Sequence, residues 1–396
     1  MLAVAGLTLC GLSRGAAVLP EPSDNAALLY YQACLARSDL SLPQGFHRVL
    51  NGGDPDEAMR KLFRDDDYRL VVELTMAATR VSRCDWGLWV SGHWSPGGIV
   101  TDRLRPLVLL LSVHARGLVA EGQYEDAIEA IAALRRFSRH LGDDTYHTWV
   151  LSDMADTEAF RIAQCLLGSA RPDAEMVSRL EAELAEDKGP GWHPGQTLRT
   201  WGRMEVASVQ ACMDRHSDWK EALVARLDER SPRRKGDGAE KLIDHAGTPE
   251  DVLDRVRGTL GTFVDAGVAV LASDASYRVK YEQVVQLIDK MAADAEAGDV
   301  LALAGGDIGY LEPYYRLHVN GLAQIRAVQA ALSVYRIKAT TGRLPDALVQ
   351  GLPGDPYSGK DFEYQITDEG FALRCREKAV QGYGDRPRQF DFQVAK

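Results

Sequence analysis

Gly354 to Lys360 read G-D-P-Y-S-G-K and so spell G-x-x-x-x-G-K, the spacing with which backbone amides and a lysine cradle nucleotide phosphates. That chemistry needs free converging amides, a Ser or Thr hydroxyl for Mg²⁺, a strand before the loop and a helix after it. Here Pro356 removes an amide, Asp361 stands where the hydroxyl belongs, Leu352-Pro353 is no buried strand, and the following DFEYQI alternates like a strand. The stretch reads as a turn leading into a hairpin, and no nucleotide or other cofactor is assigned. His140, Asp143, Asp144 and His147 would surround a metal if LGDDTY turned back on itself. A helix end at Leu141-Gly142 followed by an Asp cap explains the same residues, so no metal is assigned. There is no H-E-x-x-H, no G-x-S-x-G and no cysteine with a motif-placed histidine. Catalysis by dispersed residues stays open, because triads are spatial. The carboxylates of Glu125-Asp126 and Asp65-Asp66-Asp67 read as solvated faces.

The stretch CDWGLWVSGHWSPGG holds three tryptophans and four glycines and cannot be regular helix throughout. Trp86, Trp89, His93 and Trp94 offer large rigid contact area for a partner, and equally suit a lid folded over a helical core. Tyr124 completes the set of candidate interface residues.

The chain has 396 residues, 45% of them hydrophobic, enough for about two domains with a real core. Its 57 acidic against 46 basic residues give a net charge of -11, which repels nucleic-acid backbones and anionic membranes. The basic cluster Arg233-Arg234-Lys235 lies among Gly, Ser and acidic residues and reads as a solvated loop. The apolar run from Met1 to Leu12 is shorter than the about 20 residues a bilayer span needs. With Gly15-Ala16-Ala17 as a cleavage site it reads as a secretory signal, which places the protein in the periplasm or envelope. The competing reading is a buried amino-terminal helix over residues 1–17 in a cytoplasmic protein. Cys34, Cys84, Cys165, Cys212 and Cys375 are widely spaced without a C-x-x-C and read as buried small hydrophobes.

Periodicity predicts a mainly α protein. Ser23-Asp24 cap a helix with Leu28, Tyr31 and Leu35 on one face, and a long helix runs from Glu57 to about Ser82. Asp102 to Leu141 form a hairpin turned at EGQ, with Ala115, Gly122, Tyr124, Ala127 and Ile131 placed for close crossing, as in one tetratricopeptide-type unit. A second copy 34 residues after Ala127 would put a small residue at Arg161, so no repeat array follows. Further helices run over Thr148–Leu167, after Pro172-Asp173, over about Thr197–Asp228, and from the Thr248-Pro249-Glu250-Asp251 start to about Ala295. A helix from about Val319 to Thr341 precedes alternating strands at Phe362–Ile366, Phe371–Cys375 and Phe390–Val394. The organisation expected is a lead-in over 1–22 that is a signal peptide or amino-terminal anchor, a multi-helix bundle with TPR-like hairpins over 23–317, and a small α+β module over 318–396 with one helix and a three-stranded antiparallel sheet.

SVYRIKATTGRLPDAL followed by DPYSGKDFEY resembles the globular part of the major pseudopilins of type II secretion. The resemblance covers about residues 320 to 375. That family's methylated amino-terminal helix is absent here, so polymerisation is not implied, and GYGDRPRQFDFQ departs from its calcium loop, so calcium is not carried over. DNAALLYYQACLA, CDWG and the segment from Leu109 to Asp144 are similar to uncharacterised exported bacterial helical proteins ending in such a module, which implies an architecture and export but no activity.

Two functions remain. One is a non-enzymatic exported scaffold whose hairpins present a groove to a protein partner while the carboxy-terminal module docks to a secretion or envelope assembly. The other is a hydrolase with a dispersed site between helical body and module, which requires a concave cluster of His and carboxylates with perturbed ionisation.

Overall fold

The computed structural model describes residues 24–37, 42–86, 103–142, 146–169, 172–185, 194–230, 247–296, 311–378 and 387–394. Within them the chain is mainly α with a small α+β module at the carboxy end, and no helix is long and apolar enough to cross a membrane. The first helices are α1 (Ala26–Arg37), α2 (Phe46–Leu50), α3 (Glu57–Phe63) and α4 (Asp66–Thr79). The α1 cap is Asn25 rather than Ser23-Asp24: its side chain accepts from Ala27 N and Asp85 N and donates to the Asp85 carbonyl. The buried face of α1 is also rotated from the expected one. Ala26, Ala27, Leu29, Tyr30 and Ala33 are buried because small residues let α4 approach, while Leu28 and Leu35 are 51% and 73% exposed. The single helix expected from Glu57 is two, because Asp65 caps a new start by accepting from Asp67 N and Tyr68 N.

The expected hairpin forms as α5 (Arg105–Ala120) and α6 (Tyr124–Leu141), joined where Gly122 adopts φ 74°. Helix α7 (Tyr146–Ser169) packs against both. Their shared core holds Phe137, Ile131 and Phe160 together with charge: Arg135 lies 2.7 Å from Asp156 and over the Phe160 ring, and Arg116 lies 3.1 Å from Glu158. Charges this deep persist only when paired, since removing one partner strands the other at a cost of about 3–5 kcal/mol.

Then come α8 (Ala174–Ala185), α9 (Pro194–Arg215), α10 (Trp219–Arg230), α11 (Pro249–Ala272) and α12 (Tyr277–Glu296). Asp218, accepting from Glu221 N, divides the helix expected over Thr197–Asp228. The Thr248 start is a full capping box, with Thr248 and Asp251 each accepting from the other's amide. Helix α13 (Leu311–Thr341) begins earlier than Val319, secured by the Tyr281 hydroxyl donating to Glu312, and packs on α7, α8 and α12.

The sheet is β1 (Glu363–Thr367), β2 (Gly370–Arg374) and β3 (Gln389–Gln393) in that order, antiparallel throughout, with Tyr364 opposite Leu373 and Phe371 opposite Phe392. Phe371, Leu373, Phe390 and Phe392 form its buried face. The G-D-P-Y-S-G-K stretch is a turn built around Asp355, which is fully buried and accepts from Tyr357 N, Ser358 Oγ and Arg376 N. Gly354 is required there, because a Cβ would lie 2.7 Å from the Lys360 carbonyl oxygen. The amides of Tyr357 and Arg376 thus point inward to a carboxylate.

Asp355→Ala leaves those two amides unsatisfied and lowers stability by about 3 kcal/mol, whereas Asp361→Ala on the exposed side of the turn costs under about 0.5 kcal/mol; urea unfolding of the full chain compares them. Equal losses would contradict the account of the turn.

Candidate functional site

Of the sequence-predicted interface residues, Trp89, His93 and Trp94 lie outside the described residues. Trp86 is 8% exposed: its indole N–H donates to the His140 carbonyl and its ring stacks on Tyr30, 5.1 Å between centroids. Tyr124 is half-buried and donates to the Ser169 carbonyl at 3.3 Å, apart from Trp86. Of the suggested metal set, Asp143 and Asp144 are not described, and His140 Nδ1 is 3.0 Å from the Tyr30 hydroxyl.

Two concave places stand out. The first is a cleft of about 350 Å³ between α7 and α13, reached by Arg388 just before β3. It exists because α13 carries Gly321 where α7 presents polar side chains: a Cβ there would sit 2.7 Å from Thr157 Oγ1 and 3.1 Å from both Asp153 carboxylate oxygens. Asp153 lines the cleft with its Oδ1 3.3 Å from His318 Nδ1. Burial raises the Asp153 carboxyl above its ordinary value, opposed by the His318 hydrogen bond and charge. Three residues on, burial pushes Asp156 up to about 6 against the pull of Arg135. Glu158 is shared between Arg116 at 3.1 Å and Arg161 at 2.6 Å. A buried carboxyl whose value is raised, beside one paired to two guanidiniums, is a contrast that acid/base sites use. Among the described residues neither His318 nor any serine or cysteine lines this cleft; the oxygen-bearing side chains on it include Thr157, Asp153 and Glu158.

The second is an open groove of about 580 Å³ between α9 and α11. Gln196, Arg199, Arg203 and Val206 recur at helical spacing along α9, and Arg257, Leu260 and Val264 along α11, giving an apolar floor between arginine rims. The helices approach closely at Gly202, where a Cβ would meet Val264 at 2.9 Å, and at Gly267, where one would meet Leu198 at 3.1 Å. Gly261 on the groove, and Gly258 outside its lining, differ: among the described residues nothing lies within 4 Å of a Cβ at either. Arg257 bonds Asp254 of its own helix and Arg203 bonds Thr200, so neither rim bridges the groove.

Sequence reading missed both places. The visible signals were glycines inside helical periods: Gly321 in α13, and Gly258 with Gly261 in α11.

No family model matches the sequence, and no curated protein and no solved structure gives a significant match.

Folding lifts the Asp156 carboxyl from 3.8 to about 6, so in that range the folded chain binds more protons than the unfolded one. Its contribution to stability is therefore full below about pH 4 and is lost as pH rises through about 6. Urea unfolding at a series of pH values should show Asp156→Asn with a less negative slope of stability against pH across this window than the parent; a parallel pair of curves would contradict the shift.

Proposed function

We propose that this protein is a non-enzymatic, exported scaffold whose α9–α11 groove receives an acidic amphipathic helix of a protein partner. The observation that supports this most is an apolar floor, bordered by Arg199, Arg203 and Arg257, with Gly261 uncovered among the described residues, on a chain of net charge -11. Glycine inside a helix costs about 0.5–1 kcal/mol relative to alanine, and no described neighbour needs Gly261 to be small. A helix laid in the groove gains from it, because its backbone approaches α11 while its apolar positions cover Val206, Leu260 and Val264. Arginine rims select carboxylates on the flanks of that helix and speed the encounter more than they tighten the complex. In the same reading the carboxy-terminal module, on the strength of its resemblance to pseudopilins, docks the protein to a secretion or envelope assembly. The apolar run from Met1 to Leu12 supports export.

The hydrolase reading retains one favourable observation, the Asp153–His318 pair with Glu158 beside the α7–α13 cleft. Among the described residues no serine, cysteine or histidine lines that cleft, which is why the scaffold reading is preferred.

A synthetic amphipathic helix with leucines at i, i+3, i+4 and i+7 and glutamates elsewhere serves as probe, measured by fluorescence anisotropy. The parent binds it, while the same helix with lysines for glutamates does not bind. Gly261→Phe fills open space, keeps the thermal midpoint, and weakens binding at least about tenfold, as loss of a well-packed contact does. Equal binding by Gly261→Phe, or no preference for the acidic helix, would overturn the proposal.

A further inference from the structure

We infer that the α7–α13 cleft is a binding site for a small organic carboxylate with an apolar body. Asn320 lines the cleft, is 6% exposed, and its side-chain amide nitrogen has no hydrogen-bond partner among the described residues. The neighbours of Asn320 fix how its amide points. The Tyr357 hydroxyl donates to Asn320 Oδ1. Oδ1 is thereby committed to the module and Nδ2 is left with both hydrogens to donate. Buried amides without an acceptor are rare in folded proteins and call for a ligand that supplies one.

Arg388 strengthens the same point. Nη1 donates to the Asn320 carbonyl at 2.6 Å and the guanidinium lies over the Phe390 ring, which leaves further N–H donors of the fork for a ligand on the cleft side. Arg105, exposed at the same cleft, makes no hydrogen bond or ion pair among the described residues. Of the two carboxylates on the wall, Glu158 is occupied by Arg116 and Arg161, and Asp153 is bonded to His318 Nδ1. A planar, two-oxygen acceptor matches an amide NH₂ beside guanidinium forks better than a lone acceptor does. The same cleft is also lined by apolar surface from Val150, Met154, Leu317 and the Tyr314 ring. Leu317 is 40% exposed, as a surface awaiting a cover would be. About 350 Å³ at roughly 30 Å³ per water-sized unit admits roughly a dozen non-hydrogen atoms.

The site is independent of the α9–α11 groove, so either can fail without the other. The test uses the full chain and 4-phenylbutyrate as probe, with 4-phenylbutyramide and inorganic phosphate as comparators, by isothermal titration calorimetry. The carboxylate binds in the millimolar range or tighter, and the amide binds at least about tenfold more weakly. Asn320→Asp keeps an oxygen for Tyr357 but turns the donor into an anion; it loses at least about tenfold, and Arg105→Gln, at an exposed unbonded position, loses about threefold or more. Circular dichroism and the thermal midpoint establish that both variants are folded, and Arg105→Gln keeps the test decisive if Asn320→Asp is not. Equal binding of acid and amide, tighter binding of phosphate than of the carboxylate, unchanged affinity in folded variants, or no carboxylate binding up to 10 mM would overturn the inference.

Discussion

Two adjacent residues of α13, Asn320 and Gly321, decide how the helical body meets the small sheet. Gly321 has no side chain, and into that space α7 brings Thr157 and Asp153 against the helix backbone. Asn320 faces the other way in bonding terms: its side chain takes the Tyr357 hydroxyl and its carbonyl takes Arg388. The turn that carries Tyr357 is itself organised by Asp355, and the Tyr357 ring meets Tyr277 of α12 edge-on. Body and module are further tied where Gln164 of α7 donates to the Asp391 carbonyl and accepts from Gln324 of α13. A larger residue at 321 would have to move the Thr157 and Asp153 side chains, which line the cleft.

This arrangement separates two kinds of electrostatics. Inside, Arg135–Asp156 and Arg116–Glu158 are paired at low exposure, and burial lifts the Asp156 carboxyl. Outside, along α9 and α11, arginines stand beside an apolar floor and, among the described residues, make at most local bonds on their own helices. The first kind builds a rigid body; the second kind is available to a partner. An acidic chain that keeps such a cationic strip free has a surface on which an acidic partner is locally attracted despite the overall repulsion.

Local signals were legible in the sequence. The capping box at Thr248, the EGQ turn with Gly122, and the alternation of Phe371 and Leu373 opposite Phe392 and Phe390 each follow from neighbours a few residues apart. Asp65 was read as solvated charge although it caps α4, because a cap and an exposed carboxylate look alike until the helix beyond is located. The face of α1 was misjudged because large Leu28 and Leu35 outweighed the small alanines that α4 needs. The cleft was not legible at all: Asp153, His318, Asn320, Tyr357 and Arg388 come from α7, α13, a turn and the approach to β3, and no spacing links them.

Hydrogen exchange of the full chain, with and without the glutamate-rich helical peptide, tests the central claim that the α9–α11 groove is the partner's seat. The account predicts added protection over 196–206 and 257–264, with residues 149–161 and 314–321 unchanged. Protection confined to the α7–α13 cleft, or spread over neither place, would contradict it.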